Sequence, residues 1–372
     1  MIVSNEGFPN DVRVYKEAVS LSEKFEVIVI GWDRNCQHKK YEVFGKNIEV
    51  FRIKLRSVYG DFGNFILRLP IFWFLSFMLL VKLKVNVVHC HDFDTLPLGI
   101  LIKILNPKVK VVFDSHEHYP SMISLQAPRV LQRIIPILFV SLPRLTNGVI
   151  VVNDYLAGFF GKCKTVVIMN VPPLTTKLDK TAPSERNFEN KGFTILYFGN
   201  LTKERGIYLL MDLAEKLPNA KLVIAGDGPE RDAVLKRCKL CSNISYLGWV
   251  SYEEILTLMK TADLIPILYS SDILNNKIAT PNKLFLAMSF GKPVVVFSGT
   301  LTEQIVKKER IGFAIRENNL EELVGVVKTL TSDPSQFDMI CENGQAAFYR
   351  EYNWEIMENR LSSFYESILG KA

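Results

Sequence analysis

The sequence predicts an α/β protein built from two doubly wound, Rossmann-like domains with a cleft between them. Three observations carry that expectation. Strand-like runs alternate with helix-length stretches along the whole chain, the runs are short and apolar, and the alternation breaks once near the middle. In the first half the runs are Val27–Ile30, Val85–His89, Val109–Phe113 and Val149–Val152. In the second they are Thr194–Tyr197, Lys221–Ile224, Ile244–Leu247, Leu264–Ile267 and Pro293–Phe297. Continuous apolar runs of this length suit strands buried on both faces. Between them lie Val12–Leu21, Ile207–Lys216, Glu230–Cys238, Tyr252–Thr261 and Pro281–Phe290, each long enough for a crossover helix, and alternation of this kind implies parallel sheets.

The break falls at residues 171–191, polar and with three prolines, which read as a linker. The expected division is residues 1–170, the linker, residues 192–350, and a C-terminal helical segment 351–372 that returns to the first domain. Ligands of open α/β sheets sit beyond the carboxyl ends of the strands, so the expected site is the cleft between the domains.

Composition bounds the function. The chain has 372 residues, 48% apolar and 23% charged, which is ordinary for a globular protein. Residues 1–170 carry 21 Lys+Arg against 14 Asp+Glu, while the remainder carries 24 against 25, so the basic surplus lies in the first half. A basic face suits anionic lipid or phosphate. Zinc-finger spacing and aromatic-basic RNA motifs are missing, which argues against nucleic acid. Six cysteines make no disulfide framework at this length, and Cys238 and Cys241 form one CxxC with no partner pair, so the chain reads as cytosolic and reduced. The opening Met1-Ile2-Val3 does not read as a signal peptide, and it makes a very short first strand. Phe65–Leu83 is nearly the length of a membrane span, but holds Arg68, Pro70 and Lys82. It reads as a very apolar helix packed in the first domain and touching a membrane surface, with a true span as the alternative.

Three motifs carry chemistry. Tyr197 to Gly206 ends a strand at Gly199, passes through Asn200 and starts a helix at Gly206, with Arg205 as a forked cation suited to phosphate. Ala225-Gly226-Asp227-Gly228-Pro229 follows a strand with glycines that let backbone approach a ligand, without completing GxGxxG. In Thr280-Pro281-Asn282-Lys283, Thr280 is expected to cap a helix with Pro281 at its first position; Gly291 ends that helix. Its positive N-terminus suits a pyrophosphate. His89 and His91 fall on one face of a strand beside Asp92 and allow a metal reading, but no bound metal is expected.

Together these motifs resemble the donor half of GT-B glycosyltransferases, specifically glycosyltransferase family 4, most strongly from Thr194 to Val296. Similar proteins show GN…(K/R)G, AGDGP, a strand ending in LG (here Ile244–Gly248), a PNKLFE-type helix and GKPVV. In the first half, Asn10 to Ala18 resembles the family's opening loop and helix, His89-Cys90-His91-Asp92 its HxHD segment, and Asp114-Ser115-His116-Glu117 its DSHE segment. The resemblance implies a retaining, metal-independent transfer of a hexose from a nucleoside-diphosphate sugar, UDP- or GDP-linked, to a glycan or lipid-linked hydroxyl. It makes His116 the active-site histidine at the transferred sugar. It places Gly7, Gly199, Asn200, Gly226, Asn282 and Lys283 around the donor, Arg205 on its diphosphate, and Val250 and Tyr252 at the base. Leu286 stands where the family has a ribose-binding Glu, and Ile278 where many members have another. Those departures allow a rival reading, a catalytically silent GT-B protein that binds or regulates a partner. A sugar-nucleotide epimerase of the same architecture is a third. The expected location is the cytoplasm, peripheral at the inner face of the cell membrane.

Overall fold

The structure is a computed structural model that describes residues 1–5, 8–58, 61–124, 127–174 and 192–370. Most of the linker, 175–191, and Gly7 lie outside the described residues. The chain forms two compact units, Met1–Asn170 with Ile356–Ala372, and Val171–Glu355.

In the first unit the strands are β1 Ile2–Val3, β2 Val27–Asp33, β3 Tyr41–Phe44, β4 Ile48–Lys54, β5 Val87–His91, β6 Lys110–Ser115, β7 Gly148–Val151 and β8 Thr165–Val167. They form one sheet in the order β3-β4-β2-β1-β5-β6-β7-β8, parallel except for the antiparallel edge pair β3–β4. The order runs outward in both directions from β1 and β5, which makes that pair the topological switch point, where open α/β sheets bind ligands. β1 is only two residues long, and beyond it a cavity of about 600 Å³ opens between the first residues of β2 and β5.

The helix Phe62–Leu83 lies on this unit. Asp61 caps it by accepting from the Asn64 amide, and Lys84 ends it in the left-handed region. Its buried residues, Leu69, Phe72, Ser76 and Leu80, fall on one stripe at helical spacing. Trp32 of β2 anchors the packing, stacked on Phe72 at 5.1 Å and on Phe65 at 5.7 Å. Leu67, Ile71, Phe74, Met78 and Val81 form the opposite, exposed stripe. The helix is long and apolar enough to cross a membrane by length and composition, with 22% of its most apolar window buried. The residues of helix Trp354–Leu369 from Ile356 onward belong to the first unit. There Phe364 fills the space that a Cβ on Gly148 would need, and Tyr365 bonds His89.

The second unit has β9 Phe193–Phe198, β10 Ala220–Ala225, β11 Ile244–Gly248, β12 Ile265–Ile267, β13 Val294–Phe297 and β14 Gly312–Ile315. Two parallel three-stranded sheets, β11-β10-β9 and β12-β13-β14, join through a parallel bridge between Ile195 and Leu264. The switch point here is therefore β9 and β12. Its core holds Ile195, Tyr197, Leu210, Leu222, Ile224 and Phe297, all nearly inaccessible.

The strands that apolar runs did not reveal are β3, β4, β8 and β14. β4 alternates buried and exposed residues over most of its length, and β3 leaves Tyr41 and Val43 in water. Partly solvated strands follow period two rather than forming a continuous run. One cap also differs from expectation. Pro281, not Thr280, is the N-cap residue of helix Asn282–Ser289, and it makes no side-chain cap bond. The Thr280 hydroxyl is buried without a hydrogen-bond partner, so it satisfies none of the helix's free amides.

Candidate functional site

In the second unit the loops after β9, β10 and β11 are laced together through their backbones. Gly199 N–H donates to Ala225 O at 2.9 Å, Leu201 N–H to Asp227 O at 2.9 Å, and Gly226 N–H to Gly248 O at 2.7 Å. That closeness requires glycine. Gly226 has φ 141°, and a Cβ there would stand 1.9 Å from Gly199 O. Gly206, at φ 68°, would place one 2.6 Å from Leu268. The glycines therefore allow backbone to approach backbone, and leave the strand ends open above Gly199 and Asn200, both exposed.

Two cations meet at this edge around Tyr269, which follows β12. Arg205 Nη1 donates to the Tyr269 hydroxyl at 2.8 Å, with its guanidinium 4.4 Å from the ring centre. Lys283, in the first turn of helix Asn282–Ser289, is 6% exposed; its ammonium lies 4.8 Å from the Tyr197 ring and 5.7 Å from that of Tyr269. It donates to Phe198 O at 2.7 Å. Burial, with the Arg205 charge, pulls the Lys283 ammonium down to about 7. Among the described residues neither cation has a carboxylate partner. Two positive groups held together without a counter-charge form a site that an anion stabilises.

The other predicted residues spread more widely. Asn282 is exposed at the start of its helix, Val250 is half-buried, and Tyr252 is 50% exposed at the start of helix Tyr252–Thr261. Ser251 and Glu254 close that helix with a capping box. Leu286 and Ile278 are both 4% exposed, so each joins the apolar interior.

The first unit is arranged differently. At the ends of β5 and β6, Arg13 makes a fork to Asp114: Nε donates to Oδ2 at 2.9 Å and Nη2 to Oδ1 at 2.7 Å. Arg13 also pairs with Glu17 at 3.1 Å, one helical turn on. His89 and His91 stack at 4.1 Å beneath, and the Tyr365 hydroxyl meets His89 Nδ1 at 2.7 Å. Burial, opposed by Asp114, pulls His89 down to about 4, and burial with His89 pulls His91 well below its ordinary value, so both are neutral. Burial and Asp114 push Glu17 up to about 8. Asp114 resists its own burial because Arg13 and His116 hold it well below the usual carboxylate range.

His116 stands at the rim, 16% exposed, with Nε2 3.0 Å from Asp114 Oδ2 and Nδ1 3.5 Å from Asp92 Oδ2. Burial pulls the imidazole down, but Asp92 and Asp114 outweigh it and hold it up at about 10. The residue at the predicted active-site position is thus an imidazolium between two carboxylates. The structure does not bring Asp92 together with His89 and His91. Asp92, at φ 62°, turns away to His116, and the groups within 4.8 Å of one another are Glu17, His89, His91 and Asp114. The Arg13 fork already engages both oxygens of Asp114, so that cluster is compensated by a guanidinium.

Sequence reasoning missed Tyr269, Arg13, Glu17 and Tyr365. Tyr269 was findable as the residue just past a strand end. Arg13 and Tyr365 act through contacts with residues 101 and 276 apart in the chain, which no local pattern records, while Glu17 sits one helical turn after Arg13.

Comparison with known proteins agrees with this architecture. The model described as Glycosyltransferase Family 4 matches residues 12–168, and that described as Glycosyl transferases group 1 matches residues 179–347. An uncharacterized glycosyltransferase of Methanocaldococcus jannaschii is 30% identical over 180 residues, 46% of this chain and 44% of that protein. The chain spans about half the length of the curated relatives it matches. Among solved structures, sucrose-phosphate synthase from Thermosynechococcus elongatus superposes with TM-score 0.81 at 13% identity, covering 100% of this chain and 99% of the other. HepE of Anabaena in complex with UDP superposes with TM-score 0.70 at 16% identity, covering 98% and 99%.

Proposed function

We propose that this chain, which belongs to the group 1 and family 4 glycosyltransferases and has their GT-B fold, moves a hexose from a nucleoside-diphosphate sugar to an acceptor hydroxyl with retention at the anomeric carbon. The observation that carries the proposal is the uncompensated pair Arg205 and Lys283 beside Tyr269, at the switch point of the second unit. In the transfer, the bond from the anomeric carbon to the diphosphate oxygen breaks and its electron pair stays on the diphosphate. The acceptor oxygen bonds to that carbon, and its proton leaves to neutralise part of the diphosphate charge. Cations fixed where that charge grows lower the barrier, because they need no reorganisation at the moment of reaction. His116, at the rim of the first unit, is the residue this reading assigns to contact the transferred sugar. Val250 and Tyr252 border the base, and Asn282 lies near the phosphates.

The exposed stripe Leu67, Ile71, Phe74, Met78 and Val81, with Arg68, Lys82 and Lys84 on or next to the same helix, supports a cytoplasmic protein peripheral at the membrane and an acceptor presented there. Isothermal titration with UDP and GDP, followed by turnover of labelled UDP- and GDP-hexoses, tests the reading. Binding of one nucleotide, lost in Arg205→Ala, is expected. A protein that binds neither nucleotide at millimolar concentration is not this enzyme.

A further inference from the structure

Three nitrogens gather on a single oxygen at the end of β6. His116 lies two residues beyond Asp114, and its Nε2 donates to Asp114 Oδ2 at 3.0 Å. The same oxygen takes Arg13 Nε at 2.9 Å and has His91 Nδ1 at 3.2 Å. The other oxygen, Oδ1, takes Arg13 Nη2 at 2.7 Å, and the Asp114 side chain has no exposed surface. On its far side the His116 ring meets Asp92, 3.5 Å from Nδ1, a longer contact with a side chain 31% accessible. The direction of the ring is therefore set chiefly by where Oδ2 stands.

An aspartate side chain turns about two bonds, so a single partner leaves its carboxylate able to pivot. A guanidinium fork engages both oxygens at once and fixes their plane. Arg13 is itself held on several sides. It is 2% exposed in the first turn of helix Val12–Ser22, its Nη1 donates to Ile168 O at 2.7 Å, and its backbone N–H donates to the capping Asp11 carboxylate at 3.0 Å. His91 is kept in place as well, stacked on His89, which the Tyr365 hydroxyl meets at 2.7 Å. The Arg13 charge by itself works against a second cation nearby and pulls the His116 imidazole down. What Arg13 supplies to His116 is geometry rather than charge.

We propose that Arg13 is a positioning residue for His116. Its fork holds Asp114 in the orientation that presents Oδ2 to Nε2, and so fixes the ring that contacts the transferred sugar in the glycosyltransferase reading, on which this inference rests. A lysine would not serve, because an ammonium is a point charge without the fork that spans two carboxylate oxygens.

The test compares the full chain with Arg13→Lys, which keeps the positive charge and loses the fork, its fold checked by thermal melting. The first readout needs no substrate: proton–nitrogen NMR of the protein labelled with 15N-histidine. A ring N–H that donates to a buried carboxylate exchanges slowly with water and resonates far downfield. Such a signal is expected in the wild type, assigned by its loss in His116→Gln, and should broaden or vanish in Arg13→Lys. The second readout is turnover of the nucleotide sugar that the protein uses. In Arg13→Lys kcat should fall by about 10- to 100-fold, with the donor KM within about twofold of wild type, since a misplaced contact at the reacting sugar slows the step while the loops of the second unit are untouched. A residue that served stability alone would lower the melting temperature and leave kcat and the ring signal as they were. A wild-type His116 signal or a wild-type kcat in folded Arg13→Lys overturns the proposal. If Arg13→Lys does not fold, Asp114→Glu replaces it: the charge stays, the oxygen moves by one methylene, and the same two losses are expected, their absence again overturning the proposal. A wild-type protein that turns over no nucleotide sugar, yet loses the His116 signal in Arg13→Lys, fails the enzymatic reading alone; one that turns over donor equally well with Arg13 or Lys at this position fails only this inference.

Discussion

The two units share an architecture, each built on largely parallel strands with one switch point, yet the side chains at their strand ends differ in charge. In the second unit Arg205 and Lys283 stand without counter-ions above glycine turns, and in the first Asp92 and Asp94 stand above a network whose charges cancel one another. The contrast shows that strand order decides where a ligand can sit, whereas the few side chains at the strand ends decide what it is. It also separates two ways of building a site. The second unit offers backbone and a positive field, and its cation pair is left for the ligand to satisfy. The first unit holds its key groups rigid through internal ion pairs before any ligand arrives.

The contrast is sharpest where one atom can destroy it. Gly226→Ala places a methyl group 1.9 Å from Gly199 O at a backbone angle that alanine resists. We expect nucleotide binding to fall below detection in titration and stability to drop by about 3 kcal/mol or more. Wild-type affinity in this variant would show that the glycine turns do not shape the donor edge.

Arg13→Met removes the fork on Asp114, leaving that buried carboxylate only the His116 imidazolium, and takes from Glu17 its guanidinium partner. Urea unfolding of the first unit should show a loss of about 3–5 kcal/mol, the range for breaking a buried pair. A loss below about 1 kcal/mol would mean that the network is not held together by that fork.

Lys283→Met probes the opposite case, since the ammonium is buried without a carboxylate partner. Stability should hold or rise, while nucleotide affinity falls by about 1.5–3 kcal/mol, the worth of a hydrogen bond to a charged group. Lys283 is protonated only below about 7 in the free protein. Affinity should therefore weaken as pH rises above that value, with proton uptake on binding seen as buffer-dependent heat. Heat that is the same in every buffer at pH 8 would contradict this.

A further test concerns His116. Its folded value, about 10, lies above its ordinary 6.5, so its contribution to stability is complete below 6.5 and is lost as pH rises through 10. The stability difference between wild type and His116→Gln should shrink over that window. A difference that is flat from pH 6 to 10 would place His116 outside the charge network.

The sequence by itself determined the class of fold, because buried parallel strands must be apolar along their length and crossovers must be helical, and both requirements leave local traces. Ile207–Lys216 and Tyr252–Thr261 are read from the sequence at their observed ends. The glycine turns at the strand ends of the second unit were also legible, since a strand-to-helix turn with a close backbone approach needs glycine in a short stretch. Only the tertiary structure decided which charges meet. Arg13 reaches Asp114 across 101 residues, Tyr365 reaches His89 across 276, and Tyr269 gathers Arg205 from a turn and Lys283 from the first turn of a helix. Sequence spacing carries no record of those distances, because electrostatic pairing depends on proximity in space, and that proximity is set by the order of strands in the sheet.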